Sequence, residues 1–365
     1  MLLSELIADQ IQTQGPISFH DFMELALYHE NLGYYASDAQ RIGREGDYYT
    51  SPSRSRLFGQ LLARQLKEMW QLAGQGPFSI IEFGAGDGTL SLDILDEIAH
   101  WETMYRSTRY LLIERGGAAR KNPGLSLHRN LVCSDSLEDA KLDPGCILSN
   151  ELLDNFAVHR VVMQKELMEV YVDFADGFAE QLRPAPPALR EYLLELGVRL
   201  PPGFQTEINL DAIEWLRRVS QFLRRGFLLT VDYGFLSEEF YQPAHRNGTL
   251  LCYRKHEIND SPYSNIGQQD ICAHVNFSAL RHWGTKWGLD CCGYTNQSCF
   301  LRGLGLAEKL REIERGPKGT NGDREADREG LQALLLGMGP AFKVLIQQKG
   351  MDHPLLAGLQ FAFGN

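Results

Sequence analysis

The composition of the chain indicates a globular protein with room for a large core. The chain has 365 residues, of which 44% are hydrophobic and 23% are charged. This length allows two domains or one large elaborated domain, and this hydrophobic content argues against wholesale disorder. The 36 basic and 47 acidic residues give a net charge of -11. That balance argues against a general nucleic-acid binder and suits a basic partner, such as a peptide that carries Lys or Arg.

The cysteines and the N-terminal stretch predict a cytoplasmic protein. The seven cysteines include no CxxC pair, and their odd number favours buried reduced thiols over disulfides or a zinc site. Residues 2–13 have the pattern of an amphipathic helix and lack the basic start and continuous apolar core of a signal peptide. No stretch of 18 apolar residues is present, so no membrane span is expected.

Helical and strand patterns alternate along the chain. Three helices are predicted before the first strand, at 2–13, 18–30 and 56–74, and a fourth is predicted between the first two strands, at 88–101. The predicted strands are 78–83, 109–114, 127–132, 146–150, 227–234 and 341–349. Strands that alternate with helices indicate an α/β fold around a parallel sheet.

The order of the elements predicts three parts. Residues 1–75 are predicted to form an N-terminal helical cover with the loop GDYYTSP, and residues 76–160 together with 226–365 an α/β core. Residues 161–225 are predicted to form an insertion between the fourth and fifth strands. In QDICAHVNF, Asp270 and His274 are four residues apart and are predicted to share one helix face. SCFLRGLGLAEKLREIE is predicted to form a single helix.

The segment IIEFGAGDGTL (80–90) carries most of the functional information. A predicted strand leads through Gly84, Gly86 and Gly88 into a helix, and glycines let the backbone turn sharply and a ligand approach it closely. The third glycine comes one residue too early for the dinucleotide fingerprint GxGxxG, and no GxxxxGK[ST] phosphate loop is present. The spacing ExGxGxG, which starts at Glu82, resembles the S-adenosylmethionine (SAM) loop of class I methyltransferases. Glu82, Gly84, Gly86 and Gly88 are therefore predicted to bind the cofactor.

Polar residues at the ends of the next strands support this interpretation. Glu114 ends the second strand and is placed to accept both hydroxyls of a ribose, although an ordinary solvated strand end gives the same pattern. After the third strand, Asp135 is placed to hold an adenine amino group, and Ser136, which follows it, is also predicted to bind the cofactor. Asp-Ser pairs are equally common as turn formers. Asn150 ends the fourth strand and is predicted to contact the cofactor.

Several blocks of the sequence together resemble a known family. The blocks are FMELALYHENLGYYAS, GDYYTSPSRSRLFGQLLA, IEFGAGDGTLSLDIL, NELLDNFAVHR, VDYG, QDICAHVNF and MGPAFKVL. In this order they are similar to the MidA-like methyltransferases, a family that includes a mitochondrial complex I assembly factor acting as a protein-arginine methyltransferase. The resemblance implies a class I, Rossmann-like methyltransferase sheet and SAM as the methyl donor. Tyr48, Tyr49 and Thr50 lie in a predicted loop that is able to close over the cofactor, as flexible lids often do.

The chain departs from the family at a few positions. Ala85 and Asp87 stand in the glycine loop where the family usually has Pro and Arg. RGGAARKNPG, which holds three glycines and one proline, follows the second strand, so the helix usual there is predicted to be short or missing. Leu152 and Leu153 replace two aromatic residues, which is expected to alter the substrate pocket.

The segment SNELLDNFAV places two carboxylates after the fourth strand. In a class I sheet this strand ends beside the SAM methyl group, so Glu151 and Asp154 are predicted to face the methyl acceptor. An arginine acceptor is a cation whose planar fork suits paired carboxylates. Glu151 is predicted to grip the guanidinium, and Asp154 to assist or to take the released proton. The alternative is a solvated Glu151 and an Asp154 that caps a turn.

The family resemblance implies a finer function that the residues alone leave open. It implies symmetric dimethylation of arginine in a protein partner, with a respiratory complex subunit as the target of the mitochondrial members; a homodimer is also expected. Methylation of a small molecule or another side chain, and SAM binding without catalysis, are the alternatives. A dehydrogenase is disfavoured by the glycine spacing. Asp232 in VDYG either lines the pocket or forms a turn.

Overall fold

The computed structural model describes most of the chain. The described residues are 1–36, 46–47, 50–114, 119–137, 144–315, 329–337 and 339–362. Tyr48 and Tyr49, two of the three predicted lid residues, lie outside this part. The described α-helices are α1 (Leu3–Gln14), α2 (Phe19–Tyr28), α3 (Ser51–Arg54), α4 (Arg56–Leu72), α5 (Thr89–Ala99), α6 (Glu102–Ser107), α7 (Pro187–Glu195), α8 (Leu210–Phe222), α9 (Ser237–Phe240), α10 (Phe277–Lys286), α11 (Gln297–Gly303) and α12 (Leu306–Arg315).

The strands of the described part fall into several sheets. In chain order they are β1 (Ile17–Ser18), β2 (Phe78–Phe83), β3 (Thr108–Ile113), β4 (Leu131–Ser134), β5 (Gly145–Asn150), β6 (His159–Met163), β7 (Leu167–Phe174), β8 (Phe178–Pro184), β9 (Gln205–Ile208), β10 (Gly226–Phe235), β11 (Leu251–Arg254), β12 (Glu257–Asn259), β13 (Asp270–Cys272), β14 (Val275–Asn276), β15 (Asp290–Asn296) and β16 (Phe342–Lys349). The chain forms two compact units. The first unit comprises Met1–Tyr48, Leu153–Leu216 and Gly234–His282, and the second comprises Tyr49–Leu152, Arg217–Tyr233 and Trp283–Asn365.

The second unit is built on the predicted α/β sheet. Its strands lie in the order β15-β16-β10-β5-β2-β3-β4. The pairs from β10 through β4 are parallel, whereas β16 runs antiparallel to both of its neighbours. This arrangement confirms the predicted fold class. It also brings the carboxyl ends of β2, β3, β5 and β10 to one edge of the sheet, where folds of this type bind ligands.

Burial explains why these segments form strands and helices. β2 and β5 are buried on both faces and consist mainly of apolar residues, as central parallel strands require. α4 and α5 pack one apolar face against the same core, with Leu61, Leu66 and Ile94 fully buried. Where the two helices are closest, a Cβ on Gly59 would come within 2.5 Å of the Asp93 Cβ, so this contact requires glycine.

The connection from β3 to β4 agrees with the predicted loss of a helix. The described residues between these strands form two short 3-10 turns, Ala119–Lys121 and Pro123–Leu127, rather than an α-helix. Pro123 starts the second turn, which occupies part of the range predicted as the third strand. The strand therefore begins later than predicted, at Leu131.

The first unit contains two smaller sheets and the first two helices. β1, β7, β6 and β9 pair in that order, β8 forms a hairpin with β7, and β11 pairs with both β12 and β13. α1 and α2 bury Ile7, Phe19 and Phe22 in the core of this unit. In chain order, β6 to β9 and α7 lie between β5 and β10, where the insertion was expected. The predicted division of the chain into three parts stays a prediction.

Two local predictions, one in each unit, are wrong. Asp270 and His274 do not share a helix, because β13 pairs with β11 and β14 pairs with the end of β10. Strand pairing thus overrides the helical spacing. The single helix expected after residue 297 is divided into α11 and α12 by Gly305, whose φ of +87° interrupts the helix. None of the helices in the described part combines the length and hydrophobicity that a bilayer crossing requires.

Candidate active site

A turn of three glycines joins β2 to α5. Gly84, Gly86 and Gly88 have φ values of +69°, +56° and +80°, a region that favours glycine. A Cβ on Gly84 would lie 2.8 Å from Leu152 Cδ1, and a Cβ on Gly88 would lie 2.9 Å from Leu125 Cδ1. The positive φ values therefore favour glycine at these two positions, and a side chain there would also displace the ends of Leu152 and Leu125.

Glu114 contacts this turn directly. It follows β3, which pairs with β2 in parallel, and its Oε2 accepts a hydrogen bond from the Gly86 N–H at 2.9 Å. The contact brings together two of the residues predicted to bind the cofactor. A carboxylate fixed on the backbone of the turn is suitably placed to receive ribose hydroxyls, which is the role predicted from its position after the strand.

Glu82 is bonded within the sheet. Its side chain is buried, and Oε2 accepts a hydrogen bond of 2.8 Å from the Tyr110 hydroxyl on β3. Burial raises the pKa of Glu82 to about 8, although the Tyr110 hydrogen bond acts in the opposite direction. The carboxyl group therefore links β2 to β3. A role of Glu82 in cofactor binding stays a prediction.

Asp135 and Ser136 lie after β4, as expected. The Asp135 side chain is exposed, and Oδ1 accepts a hydrogen bond from Arg120 at 2.7 Å. The Ser136 N–H donates to Ser134 Oγ at 3.1 Å, which closes a local turn. An exposed ion pair contributes little to stability. The adenine contact of Asp135 and the cofactor contact of Ser136 stay predictions.

Asn150 and Glu151 form the end of β5. Glu151 has a φ of +51°, in the left-handed region that residues with a side chain rarely adopt, and its N–H donates to the Val231 carbonyl at 2.9 Å. Its Oε1 accepts two hydrogen bonds, from the Ser51 N–H at 2.9 Å and from Asn150 Nδ2 at 3.2 Å. The strand end thus holds the carboxylate in a defined position.

The protonation of Glu151 depends on its surroundings. Burial raises the pKa of Glu151 to about 8, and the nearby Asp232 charge acts in the same direction, whereas the hydrogen bonds from Ser51 and Asn150 lower it. Asp232 is fully buried on β10 and accepts hydrogen bonds from the Leu152 N–H at 3.2 Å and the Tyr233 N–H at 2.9 Å. Two acidic side chains therefore stand at neighbouring strand ends.

Sequence reasoning missed Ser51 and Gln297. Both residues are fully buried, and the Ser51 hydroxyl donates to Gln297 Oε1 at 3.1 Å. They lie 100 and 146 residues from Glu151 along the chain, so spacing gives no indication of the contact. The available signal is the order Thr-Ser-Pro, which is typical of a helix start with a free backbone N–H at Ser51.

Asp154, Asp270 and His274 belong to the first unit. Asp154 is buried in a 3-10 turn, and its carbonyl accepts a hydrogen bond from the Ala273 N–H at 2.9 Å. Asp270 Oδ1 accepts from the Tyr35 hydroxyl at 3.0 Å, and the His274 ring stacks on Phe235 with 5.2 Å between centroids. The pairing of Asp154 with Glu151 in one site stays a prediction.

The residues of the second unit fit SAM. The glycine turn leaves its backbone open to close approach, and Glu114 supplies carboxylate oxygens beside it. Asn150 Oδ1 is buried and accepts no hydrogen bond from the described part of the chain, so it is available to a donor such as an ammonium group. With the sheet order above, these features define a class I SAM-dependent methyltransferase.

Comparison with known proteins identifies the family. A model of S-adenosyl-L-methionine-dependent methyltransferases matches residues 61–295, and the chain belongs to this family. A crystal structure of a protein from Burkholderia thailandensis bound to S-adenosyl-homocysteine is 30% identical, covers 99% of this chain and 95% of its own, and has a TM-score of 0.88. The predicted cofactor, SAM, and the predicted methyltransferase activity are thereby confirmed.

Curated relatives are more distant in sequence. The "Protein arginine methyltransferase NDUFAF7 homolog, mitochondrial" of Drosophila melanogaster is 25% identical over 96% of this chain and 85% of its own. The Xenopus tropicalis protein arginine methyltransferase NDUFAF7 is 24% identical over 86% of this chain and 77% of its own. Both are named as mitochondrial proteins. The predicted cytoplasmic localisation is therefore wrong by this comparison.

Proposed function

We propose that the protein transfers methyl groups from SAM to arginine side chains of a protein partner. The observation that carries the proposal is the Glu151 carboxylate, which Ser51 and Asn150 hold at the end of β5. The names of the relatives described above and the net charge of -11, which suits a basic peptide, support it further.

The raised pKa of Glu151 suits a cationic substrate. An arginine side chain stays charged up to a pH above 12, and its planar N–H fork matches the two oxygens of a carboxylate. Because burial raises the pKa of Glu151 to about 8, much of the free protein carries a proton there at neutral pH. A guanidinium beside Glu151 favours the ionised form and displaces this proton. Substrate affinity should therefore increase with pH up to about 8.

In this proposal the side chains divide the work of methyl transfer. SAM, when bound, supplies a methyl group attached to a positively charged sulfur. Glu151 orients the guanidinium so that one nitrogen lone pair is available to the methyl carbon, and it keeps positive charge on the other nitrogen atoms. As the new N–C bond forms and the S–C bond breaks, the nitrogen loses a proton. Asp154 assists in holding the guanidinium or accepts this proton.

The finer parts of the proposal rest on the family resemblance. They are symmetric dimethylation, with one methyl group on each terminal nitrogen, and a respiratory complex subunit as the protein target. A homodimeric state is a separate part of the proposal that the resemblance does not supply. Each is separable from arginine methylation itself, because product analysis, target identification and molecular-mass measurement test them independently.

The test is transfer of tritiated methyl groups from SAM to proteins in an extract of cells that lack this protein. Mass spectrometry of the labelled proteins should find monomethylarginine and symmetric dimethylarginine. The Glu151→Gln variant serves as the control, because it should bind SAM normally in calorimetry and leave the extract unlabelled. Label on another side chain or on a small molecule would contradict arginine methylation, whereas asymmetric dimethylarginine would contradict only the finer part.

A further inference from the structure

Ser51 links Glu151 to a residue on a third element of the second unit. Its N–H donates to Glu151 Oε1 at 2.9 Å, while its hydroxyl donates to Gln297 Oε1 at 3.1 Å. Ser51 and Gln297 are both 0% exposed, so water does not compete for the hydrogen bond between them, whereas the bond to the half-buried Glu151 is only partly shielded. The two residues form a continuous set of contacts that ends on the carboxylate.

The backbone around Ser51 presents its N–H to the carboxylate. Ser51 is the first residue of α3, and the N–H groups of a first helical turn have no acceptor within the helix. Thr50 caps this helix, and the Ser53 hydroxyl accepts a hydrogen bond from the Thr50 N–H at 2.9 Å. The conformation that directs the Ser51 N–H at Glu151 is therefore fixed by local hydrogen bonds.

Gln297 makes this contact at a cost in stability. It is the first residue of α11, where the Asn296 side chain caps the helix by accepting a hydrogen bond from the Cys299 N–H at 2.8 Å. Its Nε2 is buried and has no hydrogen-bond partner among the described residues. An unsatisfied buried donor is destabilising, so a purely structural site favours an apolar residue here. The hydrogen bond that Gln297 Oε1 accepts from the Ser51 hydroxyl explains why an amide stands here.

We propose that Ser51 is a positioning residue for Glu151, and that Gln297 fixes Ser51 in that position. The proposal rests on the function proposed above for Glu151 and adds two residues to it. Besides Ser51, two groups act on the Glu151 carboxylate: Asn150, the preceding residue at the end of β5, and Asp232 on the neighbouring strand β10. The Ser51 hydrogen bond lowers the pKa of Glu151, against the effects of burial and of the Asp232 charge. Removing it should therefore extend the protonated form of Glu151 to higher pH.

The sharpest test compares Ser51→Pro with Ser51→Ala. Proline removes the N–H donor, and the first position of a helix accepts proline readily. Thr50, with φ of -102° and ψ of 162°, already has the extended conformation that a residue before proline requires. Alanine removes only the hydroxyl. The difference between the two variants isolates the hydrogen bond from the backbone N–H to Glu151.

The measurement is the titration of the Glu151 carboxyl carbon by NMR on glutamate-labelled protein. The signal is assigned by its absence in Glu151→Gln. In Ser51→Pro the midpoint should move up by about one pH unit, because one charge-assisted hydrogen bond is lost. The shift in Ser51→Ala should be smaller. Equal midpoints in the parent and Ser51→Pro would overturn the proposal.

This readout needs no substrate, so it separates the proposal from the proposed function. If the protein methylates arginine, the acid limb of its kcat/KM profile should shift with the NMR midpoint in Ser51→Pro. A loss of activity that is equal at all pH values would indicate only structural damage and would contradict positioning. If Ser51→Pro fails to fold, Gln297→Met decides. Its Glu151 midpoint should rise, and an unchanged midpoint would overturn the role of Gln297.

Discussion

Glu82 and Glu151 lie near the carboxyl ends of two neighbouring parallel strands of the same sheet. Burial raises the pKa of both to about 8. Their partners differ. Glu82 accepts a hydrogen bond from the Tyr110 hydroxyl inside the sheet, whereas Glu151 accepts from the Ser51 N–H and from Asn150 at the strand end. Equal pKa values thus arise in two different settings.

The comparison shows that a perturbed pKa alone does not identify a functional group. Structural carboxyl groups are perturbed by burial as strongly as catalytic ones. Glu151 differs from Glu82 in its backbone, because its φ of +51° lies in the left-handed region, and strained conformations of this kind cluster at functional sites. The strained strand end, together with Asn150 Oδ1 left without a partner in the described chain, indicates where a ligand binds.

The largest expected difference between the two glutamates is in turnover. Glu151→Gln should lower kcat about 100-fold or more, roughly 2.7 kcal/mol, because a neutral amide does not hold a guanidinium. Glu82→Gln should stay within about threefold of the parent if the carboxyl group serves only to bond Tyr110, and a larger loss would support the predicted contact of Glu82 with the cofactor. Steady-state assays with labelled SAM at pH 8 measure both. Equal losses in the two variants would remove the functional distinction between these carboxyl groups.

The second difference is in how stability depends on pH. Because the folded protein keeps Glu82 protonated at a pH where the unfolded chain releases that proton, the folded state binds more protons between about pH 4.5 and 8. Stability from this group is therefore present at low pH and is lost as pH rises through this window. Glu82→Gln should remove that loss, so at pH 8.5 its free energy of unfolding should exceed that of the parent by on the order of 2 kcal/mol.

Urea unfolding at pH 5.5 and 8.5 measures this effect. Glu151→Gln is the matched comparison, because burial also raises the pKa of Glu151, and it should flatten the same pH window. This effect of Glu151→Gln is expected only without substrate. In the parent protein a bound guanidinium would stabilise the ionised form of Glu151 and remove its contribution to the pH dependence. A parent protein whose stability is constant from pH 5.5 to 8.5 would contradict the raised pKa of both groups.

Glu114 extends the comparison to a third strand end. Its carboxylate contacts the Gly86 N–H, so it should affect the cofactor rather than the substrate. Glu114→Gln should weaken SAM binding about tenfold, roughly 1.4 kcal/mol, because hydroxyl groups bond more strongly to a carboxylate than to an amide. Calorimetry measures this. Glu102→Gln, which alters an exposed ion pair with Arg106, is the control and should leave SAM affinity unchanged.

The sequence predicts the elements of this site better than their long-range contacts. The strand over residues 78–83 has the predicted bounds because a short apolar run between turn residues specifies a buried strand. The three glycines adopt positive φ values, and the glycine motif in the sequence already indicates such a turn. Leu152 lies where a side chain on Gly84 would stand, a contact that no spacing indicates.

The remaining contacts depend on tertiary packing. Ser51 and Gln297 contact each other across 246 residues, and neither belongs to a motif for carboxylate positioning. The helix expected around Asp270 is replaced by strands, because β13 pairs with β11 and this tertiary pairing outweighs the local helical spacing. Such features depend on the folded backbone, so motifs and spacing in the sequence do not reveal them.

The smallest expected effect concerns the partner of Glu82. Tyr110→Phe removes the hydroxyl that donates to Glu82 Oε2 and should cost about 1 kcal/mol in the free energy of unfolding at pH 6. The cost should be larger at pH 8.5, because the hydrogen bond to an ionised carboxylate is the stronger one. The pH profile of turnover should not move, since Tyr110 has no contact with Glu151 among the described bonds. A shift of that profile as large as the one expected for Ser51→Pro would show that the two carboxyl groups are coupled, and the contrast between a structural and a functional glutamate would then fail.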